Sequence, residues 1–327
     1  MRPETRRYGM TIPLSNVRLH EHRDIFRRLV DSGYTDVWSA ESSANDGFTP
    51  LALAAAWAPE LRLGTAIVPA FTRGPALLVQ SAASMADAAP GRFVMGVGSS
   101  SNVIVERWND IPFEQPYQKC RDVIRFLKAA MGGEKVTETY DTFDIKGFRL
   151  DLVPEQAPPI VLAALREGML RLAGREADGA ITNWLSAEDA AKVSAIVHDA
   201  APDDAEREVV ARLFVCPSTN TDEVRAKARF AIAAYLNVPV YAEFHRWLGR
   251  DESLVGMWDA WKAGDRKAAL AAIPDSVVDE IFVHGSPDEC RDHIERYREN
   301  GIDTPVLTVF DFGGADPIAA IEDLAPR

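Results

Sequence analysis

Eight short apolar runs recur along the chain, and most are followed by an amphipathic stretch before the next begins. The runs are "YGMTIPL" (8–14), "TDVWSA" (35–40), "LRLGTAIVP" (61–69), "RFVMGVG" (92–98), "PIVLAA" (159–164), "GAITNW" (179–184), "VVARLFVCP" (209–217) and "TPVLTVF" (304–310). Each has the length of a strand and ends in a loop rich in small or turn-forming residues. Between the first two, Ile25, Phe26, Leu29 and Val30 fall at helical spacing, with Gly33 placed to cap the helix. Pro50 opens the helical "TPLALAAAWA", and a proline again starts "GPALLVQSAASMADAA". Further helices are expected over 116–131, 168–177, 186–200, 221–236 and in "SPDECRDHIERYREN".

Strands alternating with helices build parallel βαβ units, and eight such units close a (β/α)8 TIM barrel. A barrel of this kind takes about 250 residues, so a chain of 327 has room for insertions. One is a hairpin over 136–151, where apolar and polar residues alternate about a turn. The other is helical, 238–282, and carries Trp247, Trp258 and Trp261. No Pro/Ser-rich linker or break in composition divides the sequence, so a single domain over 1–327 is expected. A doubly wound open sheet would need a glycine-rich turn after its first strand, and "IPLSNVRLHEH" has no glycine.

The formal net charge of −13 comes without any Lys/Arg cluster, which excludes a nucleic acid partner. Cys120, Cys216 and Cys290 are odd in number and far apart, so neither a disulfide framework nor a zinc pattern is expected. "MRPETRRYGMTIPL" has charge but no apolar core of signal-peptide length, and no run is long enough to span a bilayer. These readings place the chain in the cytoplasm, with no membrane partner.

In a (β/α)8 barrel the active site lies at the C-terminal ends of the strands. That rule selects Ser15 and Asn16, Glu41 and Ser42, Pro69 to Phe71, Gly98 to Asn102, Ala163 to Gly168, and Asn183 with Trp184. No histidine falls at these positions, so no metal cluster and no Ser-His-Asp triad is expected on the rim. What remains is a rim of small residues, hydroxyls and backbone amides with one carboxylate, Glu41. Such a rim suits a large flat cofactor that brings its own chemistry. In "GVGSSS", Gly98 permits close approach, and Ser99, Ser100 and Ser101 can hold phosphate oxygens or simply turn the chain. In "LAALREGMLRLAG", Gly168 opens a helix whose first amides are free for an anion, and Arg166 could add donors or stand in solvent.

Three segments in order, "LGTAIVPAFTRGPALLVQSAASM", "GRFVMGVGSSS" and "VLAALREGMLRLAGREADGAI", resemble the luciferase-like monooxygenase superfamily, in its branch using the deazaflavin coenzyme F420. The likeness extends over most of the chain and is weakest in 238–282. It implies a barrel with the deazaflavin across its C-terminal mouth. It also implies that Glu41 contacts the ring, and that a non-proline cis peptide at Thr65–Ala66 or Ala66–Ile67 backs it with Val68 beside. Further cofactor contacts would come from Gly98, Ser99, Ser100, Ala163, Ala164, Arg166 and Gly168. A homodimer is expected from the family, where helices two and three often form the interface. The alanine-rich "LALAAAWA" would suit such packing or an internal contact equally.

The departures are informative. Sugar-phosphate dehydrogenases of this branch have a histidine where Ser42 stands and a glutamate proton donor where Ser101 stands. The family's glycines after strand five are here Leu165 and Arg166. The expected function is hydride transfer between F420 and a small organic substrate, with Ser42 and Ser101 as the nearest equivalents of the acid–base pair. Ser42, Ser101, Asn102 and Asn183 are candidates for substrate contacts, while Trp184 and Trp108 could wall the pocket or pack in the core. FMN is the alternative cofactor, in a luciferase-like monooxygenase, although the arginine-rich segment of many FMN enzymes is replaced by "PFEQPYQKCRDVIRFLK". A barrel that binds cofactor without turnover is the third reading.

Overall fold

The computed structural model describes residues 6–203, 205–310, 312 and 318–326. Eight parallel strands form the sheet: β1 (Gly9–Ile12), β2 (Asp36–Ser39), β3 (Arg62–Thr65, resuming as Val68–Pro69), β4 (Phe93–Gly98), β5 (Ile160–Ala163), β6 (Gly179–Asn183), β7 (Glu208–Cys216) and β8 (Thr304–Val309). Each pairs with the next, and β8 pairs back onto β1 through Gly9↔Val306 and Met10↔Leu307, which closes the barrel. The fold is the expected (β/α)8 barrel.

Helices follow the strands: α1 (His22–Asp31), α2 (Thr49–Trp57), α3 (Pro75–Ala88), α4 (Pro116–Met131), α5 (Glu167–Glu176), α6 (Ala187–Asp199) and α7 (Thr221–Leu236). The inserted region folds as α8 (Pro239–Trp247), α9 (Asp251–Lys262), α10 (Arg266–Ala271) and α11 (Asp275–Ile281), and α12 (Pro287–Glu299) leads into β8. Their starts are written locally. Ser186 and Asp189 satisfy each other's backbone amides in a capping box before α6, as do Ser286 and Glu289 before α12. Gly33, at φ +87°, takes the left-handed turn that ends α1. The inserted hairpin is present as Val136–Thr139 against Asp144–Phe148. Three elements go beyond the sequence reading: a π-helix at Val103–Trp108, a short strand Val283–His284 on the edge of β7, and α13 (Ala319–Asp323). Among the described residues, no helix is long and apolar enough to cross a membrane.

Alternate residues of each strand face the barrel interior, which fills in layers. At the base, Arg62 reaches Asp36, Glu208 and Thr304. Above it lies an apolar plug of Trp38, Val94, Val161, Ile181, Val210 and Val306. Trp38 fits because its neighbours on β1 and β3 are glycines: a Cβ on Gly64 would stand 2.2 Å from the indole, and one on Gly9 3.1 Å. Gly64→Ala is therefore expected to cost about 1–3 kcal/mol by overpacking, measured by urea unfolding. An unchanged midpoint would mean that the indole can move aside. The upper layer is polar, with Thr11, Asn183, Arg212 and Thr308 below the open mouth.

Candidate active site

A cavity of about 1060 Å³ opens at the C-terminal mouth, at the upper end of the usual range for small-molecule sites. One wall comes from the ends of β2 to β5, namely Ala40 to Ser43, Ala66, Ile67, Ser99 to Ser101 and Ala163 to Gly168. The opposite wall carries Asn183, Arg212, Tyr235, Tyr241 and Trp247. The peptide between Ala66 and Ile67 is cis, at one of the two positions suggested by the resemblance, and it interrupts β3. The Ile67 carbonyl accepts from the Glu41 amide at 3.2 Å, which ties the end of β2 to this bulge.

Glu41 lines the cavity but its carboxylate is already held. Arg73 pairs with it at 2.6 Å, Thr72 donates at 3.3 Å and the Gly47 amide at 3.0 Å. Its position is thereby fixed. Ser42 lies on the exposed lip. In the serine corner, Ser100 adopts φ +62°, a left-handed conformation uncommon outside glycine, which re-aims the backbone after β4. Ser101 Oγ accepts from the Ile104 amide at 3.4 Å, so this hydroxyl helps to start the π-helix whose last residue, Trp108, reaches the rim.

The turn after β5 has different chemistry. Arg166 is the N-cap of α5, and its side chain makes no capping bond. The first-turn amides of Glu167, Gly168 and Met169 lack intrahelical acceptors and carry the positive end of the helix dipole. A Cβ added at Gly168 would meet nothing within 4 Å, so that backbone is open to a ligand. With the serine corner beside it, this is a donor set for an anion such as phosphate.

Across the cavity, Arg212 projects from β7. Its guanidinium reaches Thr308 Oγ1 at 3.3 Å, and its Nε has no partner. Burial pulls its pKa below that of a free arginine. The Tyr241 hydroxyl donates to Asn183 Oδ1 at 3.2 Å, and burial pushes its pKa up to about 12. Thr182 Oγ1, buried at the cavity edge, has no partner. Two of the charges lining the cavity are neutralised, Glu41 by Arg73 and Glu167 by Arg171. Arg166 and Arg212 have no carboxylate partner among the described residues, so the cavity is electropositive in an acidic chain.

Of the residues singled out from sequence, the cavity gathers Glu41, Ser42, Ala66, Ile67, Ser99, Ser100, Ser101, Ala163, Ala164, Arg166, Gly168, Asn183 and Trp108. Thr65 sits behind the wall, where its hydroxyl exchanges hydrogen bonds with the Gly96 backbone. Val68 is fully buried, and Gly98 packs so closely on Ala163 that a Cβ there would be 2.6 Å from it. Asn102 is the N-cap of the π-helix. Trp184 turns away at φ +54° and stacks on Phe214 with ring centres 3.9 Å apart, so it belongs to the core. Arg212 and Tyr241 were missed. Arg212 was legible as a charge at every second position with Val210 and Phe214, the inward parity of β7. Tyr241 gave no such signal, because the path of an insertion is not written in its periodicity. Among the described residues no group of three or more metal-ligating side chains gathers.

Comparison with known proteins agrees with this architecture. The chain is 26% identical over 280 residues to a 5,10-methylenetetrahydromethanopterin reductase of Methanolobus tindarius, covering 83% of this chain and 84% of that protein. Its fold is similar to the coenzyme F420-dependent tetrahydromethanopterin reductase of Methanopyrus kandleri, with a TM-score of 0.79 at 20% identity over 98% and 97% of the two chains. It is also similar to an F420-dependent secondary alcohol dehydrogenase solved with an F420–acetone adduct, with a TM-score of 0.78 at 16% identity over 98% and 97%. The sequence profile of luciferase-like monooxygenases matches residues 5–304. With a closed barrel and a cofactor-sized cavity at its mouth, the chain belongs to the luciferase-like monooxygenase family and is an enzyme of that class.

Proposed function

We propose that this enzyme uses coenzyme F420 to move a hydride to or from a small organic substrate. The observation that carries the reading is the uncapped start of α5, with Arg166 and the serine corner, on the same cavity as the Ala66–Ile67 wall. That donor set fits a phosphate, and the wall beside it, built of Ala40, Ala66, Ile67 and Ala163, leaves room for a flat ring. The F420 dependence named for the relatives, together with the missing arginine-rich segment after β4, favours the deazaflavin over FMN.

When bound, the deazaflavin supplies hydride chemistry at its C5 carbon. The chain's own part is placement and exclusion of water. Arg73, Thr72 and Gly47 fix Glu41 at one end of the ring seat, and the amides of α5 with Arg166 hold the anionic part. Ser42 and Ser101 can hydrogen-bond a substrate oxygen, but among the described residues neither hydroxyl is hydrogen-bonded to a base, the neighbouring Glu41 being held by Arg73. Tyr241 keeps its proton at neutral pH and uses it to hold Asn183 in place on the far wall. Trp108 and Tyr235 lie at the rim, where they can cover a bound substrate.

The test is titration with oxidised F420 and with FMN, followed by turnover with the reduced cofactors on enones, imines and alcohols. F420 is expected to bind more tightly than FMN, and Arg166→Ala to weaken F420 about tenfold, the worth of one charge-assisted contact. Tight FMN binding with no response to F420 would overturn the proposal in favour of an FMN monooxygenase. F420 binding without turnover across the panel would make the protein a cofactor carrier.

A further inference from the structure

We propose that the wall built by β6, β7 and β8 is a carboxylate subsite, in which Arg212, flanked by Thr308, Tyr241 and Asn183, takes the carboxylate of a small monoanionic substrate with an apolar body. The assignment rests on the cavity being the substrate site of the proposed reaction, and not on which flavin it holds.

The first argument is the contrast between two interior arginines. Arg62, in the base layer, is saturated by Asp36, Glu208 and Thr304. Arg212, one interior layer above the plug, has among the described residues one neutral hydroxyl at 3.3 Å, the Phe214 ring at 5.9 Å and an unpartnered Nε. A buried guanidinium left without a counter-charge is costly. Among the described residues no carboxylate pairs with Arg212, and the cavity lies on its open side.

The second argument is chemical fit. A guanidinium presents a planar fork that matches a carboxylate. Tyr241 donates to Asn183 Oδ1 at 3.2 Å, which fixes the Asn183 amide and leaves its N–H groups as neutral donors on the cavity wall. One deep cation suits one negative charge, whereas a phosphate dianion at this depth would remain half compensated. Tyr235 and Trp247 line the same side and offer apolar surface for the rest of the molecule.

The third argument is placement. In a ring of eight strands, β7 lies four strands from β3, so Arg212 stands across the barrel from Ala66 and Ile67. A substrate anchored on Arg212 would therefore face the wall assigned to the ring, and the second cation, Arg166, belongs to that other wall.

Calorimetric titration with sodium benzoate and with its uncharged counterpart benzamide tests the subsite, with and without F420. Benzoate is expected to bind at least about tenfold more tightly than benzamide. Arg212→Met should abolish that preference, Arg212→Lys should restore part of it, and F420 affinity should stay within about threefold, less than a single hydrogen bond is worth. Equal affinities for the two probes in the wild type, or no benzoate binding, would overturn the subsite. So would an Arg212→Met variant that keeps the preference, or one that loses F420 instead. If Arg212→Met does not fold, the wild-type comparison and Arg212→Lys decide. Failure of F420 to bind while the benzoate preference persists would sink the deazaflavin reading and leave the subsite standing.

Discussion

Replacing Arg62 with leucine is expected to destabilise the fold by about 3–5 kcal/mol, the cost of leaving buried charge without its partner. Asp36 is wholly buried and Glu208 mostly so, and both direct their carboxylates at this guanidinium from neighbouring and distant strands. Burial alone would favour the uncharged forms of Arg62 and Glu208. The two carboxylates outweigh it for Arg62, which titrates above a free arginine, and Arg62 outweighs it for Glu208, which is held below the ordinary carboxylate range. The wild type therefore draws stability from Glu208 above pH 4.5, and loses it as pH falls through the lowered value. In the variant the sign reverses. Without Arg62 the burial of Glu208 raises its pKa, while Asp36 keeps Arg7 at 3.6 Å, so the deficit should shrink on acidification as Glu208 takes up a proton. Urea unfolding at pH 7.5 and 5 measures both effects. Adding Asp36→Asn and Glu208→Gln to the variant should recover part of the loss, because the uncompensated charge is then gone. A deficit below about 1 kcal/mol, the level of an exposed pair, would show that water reaches these carboxylates through the barrel base.

That same pairing marks how far the sequence could be read. Strand and helix order followed from periodicity, because a buried strand and a helix face each impose a repeat on apolar residues such as Ile25, Phe26 and Leu29. With eight strands in order, topology alone nominates the loops that line the cavity, and Glu41, Ser99 and Arg166 stand on it without a catalytic motif to point to them. Side-chain direction was harder. Thr65 lies at the right place in the chain, yet its hydroxyl is captured by the Gly96 backbone. Trp184 ends its strand at the rim, and a single left-handed residue turns it into the core. Arg62 and Arg212 lie inside apolar runs and Glu208 just before one, and a charge in a barrel strand reads as an interruption until partners on distant strands are known. Helix α8 was expected as helix, but only its packing brings Tyr241 to Asn183, 58 residues earlier in the chain.

Acid is expected to loosen that helix before the carboxylates titrate. His245, one turn beyond Tyr241 on α8, is fully buried, and its ring nitrogens make no well-formed hydrogen bond, the Trp184 backbone being the nearest acceptor. Burial, aided by the Arg250 charge, pulls its pKa down to about 3, outweighing the nearby Trp184 backbone. Arg250, fixed nearby by Asp189 and Glu280, repels a protonated imidazole rather than neutralising it. A histidine depressed in this way is neutral when folded and charges when unfolded. The unfolded chain then binds more protons below pH 6.5, and stability falls as pH drops from that value toward the folded pKa. Between pH 6.5 and 5 His245 alone accounts for about 2 kcal/mol, at 1.36 kcal/mol per unit. His293, lowered to about 4 by burial and by Arg296, acts in the same direction. Urea midpoints across this range should decline steeply in the wild type and less so in His245→Met, which fills a similar volume and cannot charge. Parallel slopes for the two proteins would show that His245 is not the group responsible. Because α8 carries both His245 and Tyr241, the loss should also be visible as weaker ligand binding in the cavity at pH 5, ahead of global unfolding.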